Sequence, residues 1–413
     1  MKKKITVSTA VTLIILTVAL TVSITMLVAM RYFNRQVQDV SQRQAMYTHI
    51  NDVDKKVREY YTDLDEEALR RGITEGYIQG LGDSYAAYFS TENYVKEKSR
   101  LAGRCGDVGL GVCANAAGQL VVWRVDADSA ADKGGVKVGD VLKALDNEDV
   151  AGKTEAQVQE TLDAAAKVLL SVERDGSPLA FELSAYEHTL RSVQSQKLDS
   201  IGYVRVTAFY ENTPEQFKST VSSLVEQGVT GLVFDLRDNA GGLRSAAEEV
   251  IAYLMPLGQY GTVTDKNGTA TSLVSKSNNQ LSLPTVTLIN HTTAGEAEFF
   301  AGVLQEFSFT TVVGETSAGK AKYQEYFTLE ADNSAIKLTV GEYSRLKNGS
   351  WQDQGIVPDL ESALTDSQQA TIRLTATADD PQVKAALSQI SNPVTPKNSN
   401  AGKSNANSAA NAG

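Results

Sequence analysis

From residue 190 to residue 362 the chain alternates strand-like runs with amphipathic helical ones, and this alternation constrains the fold more than any other feature. "IGYVRVTAFY" reads as a strand and "TPEQFKSTVSSLVEQGV" as a helix, with Thr213 as its cap and Pro214 in its first turn. "TGLVFDLRDNAGG" reads as a buried strand ending in a glycine turn, and "LRSAAEEVIAYLM" as the next helix. Repetition of this kind predicts an α/β unit. Within it, "LPTVTLIN" arrives as an apolar strand, turns, and leaves as the helix of "TTAGEAEFFAG". Many hydrolases present a nucleophile at such a turn, against a helix N-terminus. Here the tip reads Thr293-Ala294-Gly295-Glu296.

The flanking segments differ in character. "MKKK" precedes Ile5–Met30, which carries no charge and is long enough to span a bilayer as a tilted helix. Its exit, "LVAM", lacks the small-residue pattern of a cleavage site, so an uncleaved anchor over 5–30 is expected. Lys2, Lys3 and Lys4 favour a cytoplasmic N-terminus, leaving the bulk of the chain outside the cytoplasm in a cell membrane. Residues 31–103 read as helical, and no chemistry is visible there. Residues 104–186 hold short strands around one helix at Thr154–Lys167, with Thr154 as cap and Val158, Leu162 and Ala165 on one face. The stretch 391–413 is rich in Asn, Ser, Ala and Gly and is expected to be disordered.

Charge and composition exclude several classes. A net charge of −11, with no basic patch to offset it, argues against nucleic acid. There is no CxxC and no HExxH, so neither a metal nor a cofactor is expected. The two cysteines, Cys105 and Cys113, could pair in an oxidising compartment or remain two separate thiols.

The segment 104–186 resembles a PDZ domain, on "DSAADKGGVKVGDVLKALDNEDV" and the glycine loop Gly109-Leu110-Gly111-Val112. The resemblance implies that backbone amides of Gly109, Leu110, Gly111 and Val112 bind a terminal carboxylate beside an open strand edge. Three later stretches, "DLRDNAGG" (235–242), "NHTTAGEAEFFAG" (290–302) and "VVGETSAGKAKYQ" (312–324), resemble the carboxyl-terminal processing peptidases, also called tail-specific proteases. That family implies a crotonase-like α/β core over 190–390, joined to a mostly-β PDZ-like domain. It also implies cleavage of unfolded or C-terminal protein segments by a Ser/Lys pair. Self-association is compatible with the sequence.

The resemblance assigns residues and also exposes departures. The family's first motif reads like DLRxNPGG, which makes Gly241 and Gly242 the oxyanion glycines, with Ala240 where proline is usual. The third reads like GExTxGKGxxQ, which makes Lys320 the general base and Gln324 its partner. Lysine suits that role when burial lowers its pKa. The middle motif reads like GSASASE, with a serine 25 residues before the lysine; here that position is Gly295. A glycine forms no acyl-enzyme, so loss of proteolysis with retained peptide or partner recognition is the leading expectation. The alternative is a working peptidase that uses a displaced hydroxyl (Thr292, Thr293 or Ser317), or water activated by Glu296, with Lys320 as base. Thr293-x-x-Glu296 also reads as a capping box. His49, His188 and His291 give little support to a histidine triad.

Overall fold

The structure, a computed structural model, describes residues 7–277 and 281–391. The expected disordered tail falls outside those residues, apart from Ser391 at the end of a helix. The chain separates into two units, Met1–Thr74 and Glu75–Gly413.

The first unit is dominated by one helix, α1 (Val7–Tyr60), which carries the apolar run. Residues 5 and 6 of the expected anchor lie outside the described residues, and its apolar side chains are described mostly from Leu13 onward. Among the described residues no helix is long and apolar enough to cross a membrane. The expected helical character of 31–103 holds for α1 and for α2 (Glu66–Gln79), but not throughout. Ala87–Phe89 is a strand, because its backbone pairs with Ala335–Lys337 of a distant strand.

The second unit begins with an antiparallel sheet of β1 (Leu110–Ala114), β2 (Leu120–Val125), β3 (Val141–Leu145), β4 (Lys167–Arg174) and β5 (Ser177–Ser184), in that spatial order. Val112, Val122, Leu142 and Leu170 point inward and meet Val158 and Leu162 of helix α3 (Glu155–Ala164). Thr154 caps α3, and Gln157 returns the bond to the Thr154 N–H. The chain enters and leaves this domain through one short antiparallel pair, Arg104–Cys105 against His188–Thr189.

A second sheet follows: β6 (Val193–Leu198), β7 (Ile201–Val206), β8 (Gly231–Asp235), β9 (Thr285–Ile289), β10 (Thr310–Gly314) and β11 (Leu360–Glu361), again in spatial order. From β7 onward the pairs are parallel, while β6 is antiparallel to β7. β8 and β9 are buried at every position, as strands covered on both faces must be. Helices α4 (Thr213–Glu226), α5 (Arg244–Leu254) and α6 (Glu296–Glu306) supply Phe217, Val250 and Phe300 to the core on one side. Helix α7 (Pro381–Ser391) sets Val383 and Ala386 against Val233, Leu288 and Val313 on the other. Thr213 does not cap α4; it is the first helical residue, after Asn212, and its hydroxyl accepts the Tyr210 N–H. A third sheet, which includes Lys322–Thr328 and Ala335–Arg345, lies beyond. The carboxyl ends of β8, β9 and β10 open into the three motif loops, the usual place for a ligand in a parallel sheet.

A buried ion pair anchors the first of those loops. Arg237 donates to both oxygens of Asp235 and reaches Asp380 at 2.8 Å; Tyr203 donates to Asp235 at 2.6 Å. Burial alone would raise the Asp235 carboxyl, but the Arg237 guanidinium overrides it and holds it at about 2. Replacing Arg237 by alanine leaves two buried carboxylates without their cation, and should cost about 3–5 kcal/mol in urea denaturation. Because the folded-state value lies below the ordinary aspartate value of about 3.9, the Asp235 contribution is complete above that pH. It is lost as the pH falls toward 2.

Candidate functional site

The site is a strand-to-helix elbow flanked by two loops. β9 ends at Ile289, and Gly295 is the N-cap of α6 with φ +62° and ψ −122°. Few L-residues adopt this conformation, and glycine takes it without strain. The Thr293 hydroxyl donates to Leu236 O and accepts the Asn290 N–H, so it stitches the elbow to the first loop rather than capping α6. The acid that returns to the helix start is Glu298, not Glu296: Glu298 accepts the Gly295 N–H at 3.0 Å. The expected capping box is therefore shifted, because the helix begins two residues later than Thr293-x-x-Glu296 requires.

Glu298 also holds the third loop. Its carboxylate accepts the N–H groups of Gly319 at 2.7 Å and Lys320 at 2.8 Å, and the Ser317 hydroxyl. The Lys320 side chain is thereby laid along the elbow. A Cβ added at Gly295 would lie 3.9 Å from Lys320 Cδ, 3.9 Å from Gly241 Cα and 3.6 Å from Ala240 O, all ordinary contacts. Position 295 thus faces Lys320 on one side and the glycine loop on the other, with room for a side chain. Burial pushes the Lys320 ammonium below its usual value; Glu296 opposes that shift and Lys337 adds to it. The ammonium rests over the Tyr85 ring at 4.5 Å. Tyr85 comes from the segment in which the sequence showed no chemistry.

Gln324 is not the partner of Lys320. Its amide donates to Lys322 O at 3.2 Å and Thr339 Oγ1 at 3.3 Å. A shared face at a four-residue offset requires both residues in one element, and Lys320 lies in the loop before the strand Lys322–Thr328.

The glycine loop is built for close approach, and its second amide is occupied. Gly241 and Gly242 have φ of +98° and +151°. A Cβ on Gly242 would meet Phe209 O at 2.3 Å, and one on Gly241 would meet Glu296 Oε2 at 2.3 Å. That Glu296 oxygen accepts the Gly242 N–H at 3.0 Å, and Tyr343 donates to the other at 3.2 Å. The Gly241 N–H goes to Asn239 Oδ1 at 2.8 Å. Burial pushes the Glu296 carboxyl up, against the pull of the helix amide, Lys320 and Gly242. The amide expected to meet a developing oxyanion therefore carries a carboxylate of the chain itself.

The remaining hydroxyls are engaged. The Thr292 hydroxyl lies 2.8 Å from Asp238 Oδ1 and 2.9 Å from Asn290 Oδ1 and can donate to either, and Ser317 donates to Glu298 while accepting the Ile356 N–H at 2.6 Å. The His291 side chain is exposed on this turn and paired with Glu315 at 2.9 Å. Cys105 and Cys113 are both free thiols.

Residues 200–362 match peptidase family S41, and residues 121–174 match a PDZ domain. The match to peptidase family S41 covers the residues that hold the elbow and its two flanking loops. Its sequence is 28% identical over 312 residues to the carboxy-terminal processing protease CtpB of Bacillus subtilis (strain 168), covering 73% of this chain and 64% of that one. It is 29% identical over 315 residues to CtpA of the same organism, covering 75% and 67%. The chain thus spans about two thirds of the length of these relatives. An S41-family structure from Bacteroides fragilis NCTC 9343 shares the fold at 16% identity, with a TM-score of 0.58 over 77% of this chain and 90% of that one.

The PDZ loop is also bonded from within at Gly109. The Gly109 N–H donates to Asp107 at 2.7 Å, so it is not free for an incoming carboxylate. β1 is an edge strand, but Gln159 of α3 covers it, accepting the Val112 N–H at 3.1 Å and donating to Leu110 O at 2.9 Å. Replacing Gln159 by alanine removes a bond worth about 1 kcal/mol, so hydrogen exchange at the Val112 amide should quicken about fivefold. An unchanged rate would mean that the bond does not protect this edge.

Proposed function

We propose that this chain recognises protein C-termini and has lost Ser/Lys proteolysis. The observation that carries the reading is at the elbow: position 295 bears no side chain, and Glu296 holds the Gly242 amide. The relatives' names supply the substrate class, since CtpB and CtpA are carboxy-terminal processing proteases. Recognition uses the β1 edge, where an added strand would displace Gln159 and take its two backbone partners. The chain acts outside the cytoplasm, held by an N-terminal helix in the cell membrane. In support, the apolar run starts at Ile5, before the described residues, and Leu13, Leu16, Leu20 and Val22 are each more than half exposed. Lipid would cover that surface. Removing residues 1–30 should move the chain from the membrane fraction to the soluble one.

Cleavage of an unfolded protein separates the outcomes. Wild type should be inert. Gly295→Ser alone should stay near background, because Glu296 still holds the Gly242 amide; the pair Gly295→Ser and Glu296→Ala should cut. Adding Lys320→Ala should abolish that gain by about a hundredfold or more. The gained rate should rise with pH as Lys320 loses its proton, with a midpoint below the ordinary lysine value of 10.5. Cleavage by wild type that disappears in Lys320→Ala would overturn the reading and point to water activated at the unfilled position.

A further inference from the structure

At the strand pair that joins the PDZ domain to the core, a second polar cluster faces inward. His188 is 5% exposed, and its Nδ1 lies 3.2 Å from Tyr186 O. That contact places a proton on Nδ1 and turns Nε2 the other way. Nε2 points at two carboxylates: Asp126 Oδ2 at 3.8 Å and Asp107 Oδ1 at 3.9 Å. Both distances are beyond hydrogen-bond reach. Among the described residues, neither His188 Nε2 nor Asp126 Oδ2 has a hydrogen-bond partner.

Buried acceptors facing one another are unfavourable unless a cation lies between them. Either a proton or a metal ion at Nε2 would meet that requirement. The surrounding charge favours a cation. Asp163 on α3 crowds the same two aspartates, and Arg124 offsets only part of the field, at 3.3 Å from Asp126 Oδ1.

We propose that Asp107, Asp126 and His188 bind one divalent transition metal ion, with Zn2+ the best fit to two carboxylates and an imidazole. The three ligand atoms lie within 4.8 Å of one another. Zinc bonds to nitrogen and carboxylate oxygen run about 2.0–2.2 Å, which puts tetrahedral ligands roughly 3.4 Å apart, so the cluster closes by small side-chain movements. The ligand set has the supporting contacts that such sites need. The Tyr186 carbonyl orients His188, while Asp107 is held by the Gly109 N–H at 2.7 Å and the Cys105 thiol at 2.8 Å. Asp126 also lines a cleft of about 610 Å³, with Trp123, Arg205 and Arg373 on its walls, which gives a hydrated ion a way in. Cys105 pairs with His188 across the junction strands, so a bound ion would fix the angle at which the PDZ domain leaves the core.

The test is equilibrium dialysis of the whole chain against Zn2+, followed by metal analysis. One Zn2+ per chain is expected, with at least tenfold weaker retention in His188→Ala and in Asp126→Asn. His291→Ala, which removes an exposed histidine paired to Glu315, should bind as wild type. Because the ligand variants could fail to fold, a second measurement uses wild type alone. The nitrogen NMR signal of His188 Nε2 should shift on adding Zn2+, while that of His291 stays in place. Retention unchanged by both ligand substitutions, or a His188 signal that stays that of a doubly protonated ring after Zn2+ is added, would overturn the proposal.

Discussion

The carboxylate of Glu298 is the interaction on which the candidate site rests. It is fully buried and receives the N–H groups of Gly295, Gly319 and Lys320 and the hydroxyl of Ser317. A buried charge is tolerated only when hydrogen bonds replace its water, and here every donor comes from a site loop. One side chain therefore fixes the helix start and brings Lys320 to it. The first loop is tied in separately. Asn290 exchanges bonds with Asp238, accepting its N–H and donating to its side chain, and the Ala294 N–H donates to Asn239 O.

The three loops hold their shape without any contribution from a side chain at 295. The residues that shape the loops, among them Asp235, Arg237, Asn239, Thr293 and Glu298, are satisfied by one another and by the backbone. None of their bonds involves a side chain at 295. Glycine there also relieves the positive φ that an elbow imposes on any other residue. Glu296 turns its carboxyl group onto the Gly242 N–H and against Gly241, so that corner of the loop is bonded from within. In the PDZ domain Asp107 and Gln159 likewise take the Gly109 and Val112 N–H groups.

Several local readings of the sequence survive in the structure, and the failures share a cause. The strand–turn–helix at 285–306, the capped helix after Thr154 and the buried runs of β8 and β9 follow from periodicity and capping, which act over a few residues. The motif that pairs Gln324 with Lys320 fixes their spacing in the chain, but Lys320 lies in the loop before the strand that carries Gln324. Glu296 and Glu298 both have acid chemistry near a helix start, and only the helix boundary decides which one turns back. Tyr85 reaches Lys320 because the strand after it joins a sheet with residues about 250 positions away in the chain.

The sequence by itself determined that this is an α/β chain with a PDZ-like insertion, and that position 295 carries no nucleophile. Those facts are written in the local pattern and in the identity of single residues. Only the tertiary structure decided where the polar groups spend their bonds: Glu296 on the Gly242 amide, Gln159 on the β1 edge, and His188 facing Asp107 and Asp126. Hydrogen bonding depends on distances of a few tenths of an ångström between elements far apart in the chain, and no pattern of residue types encodes those distances.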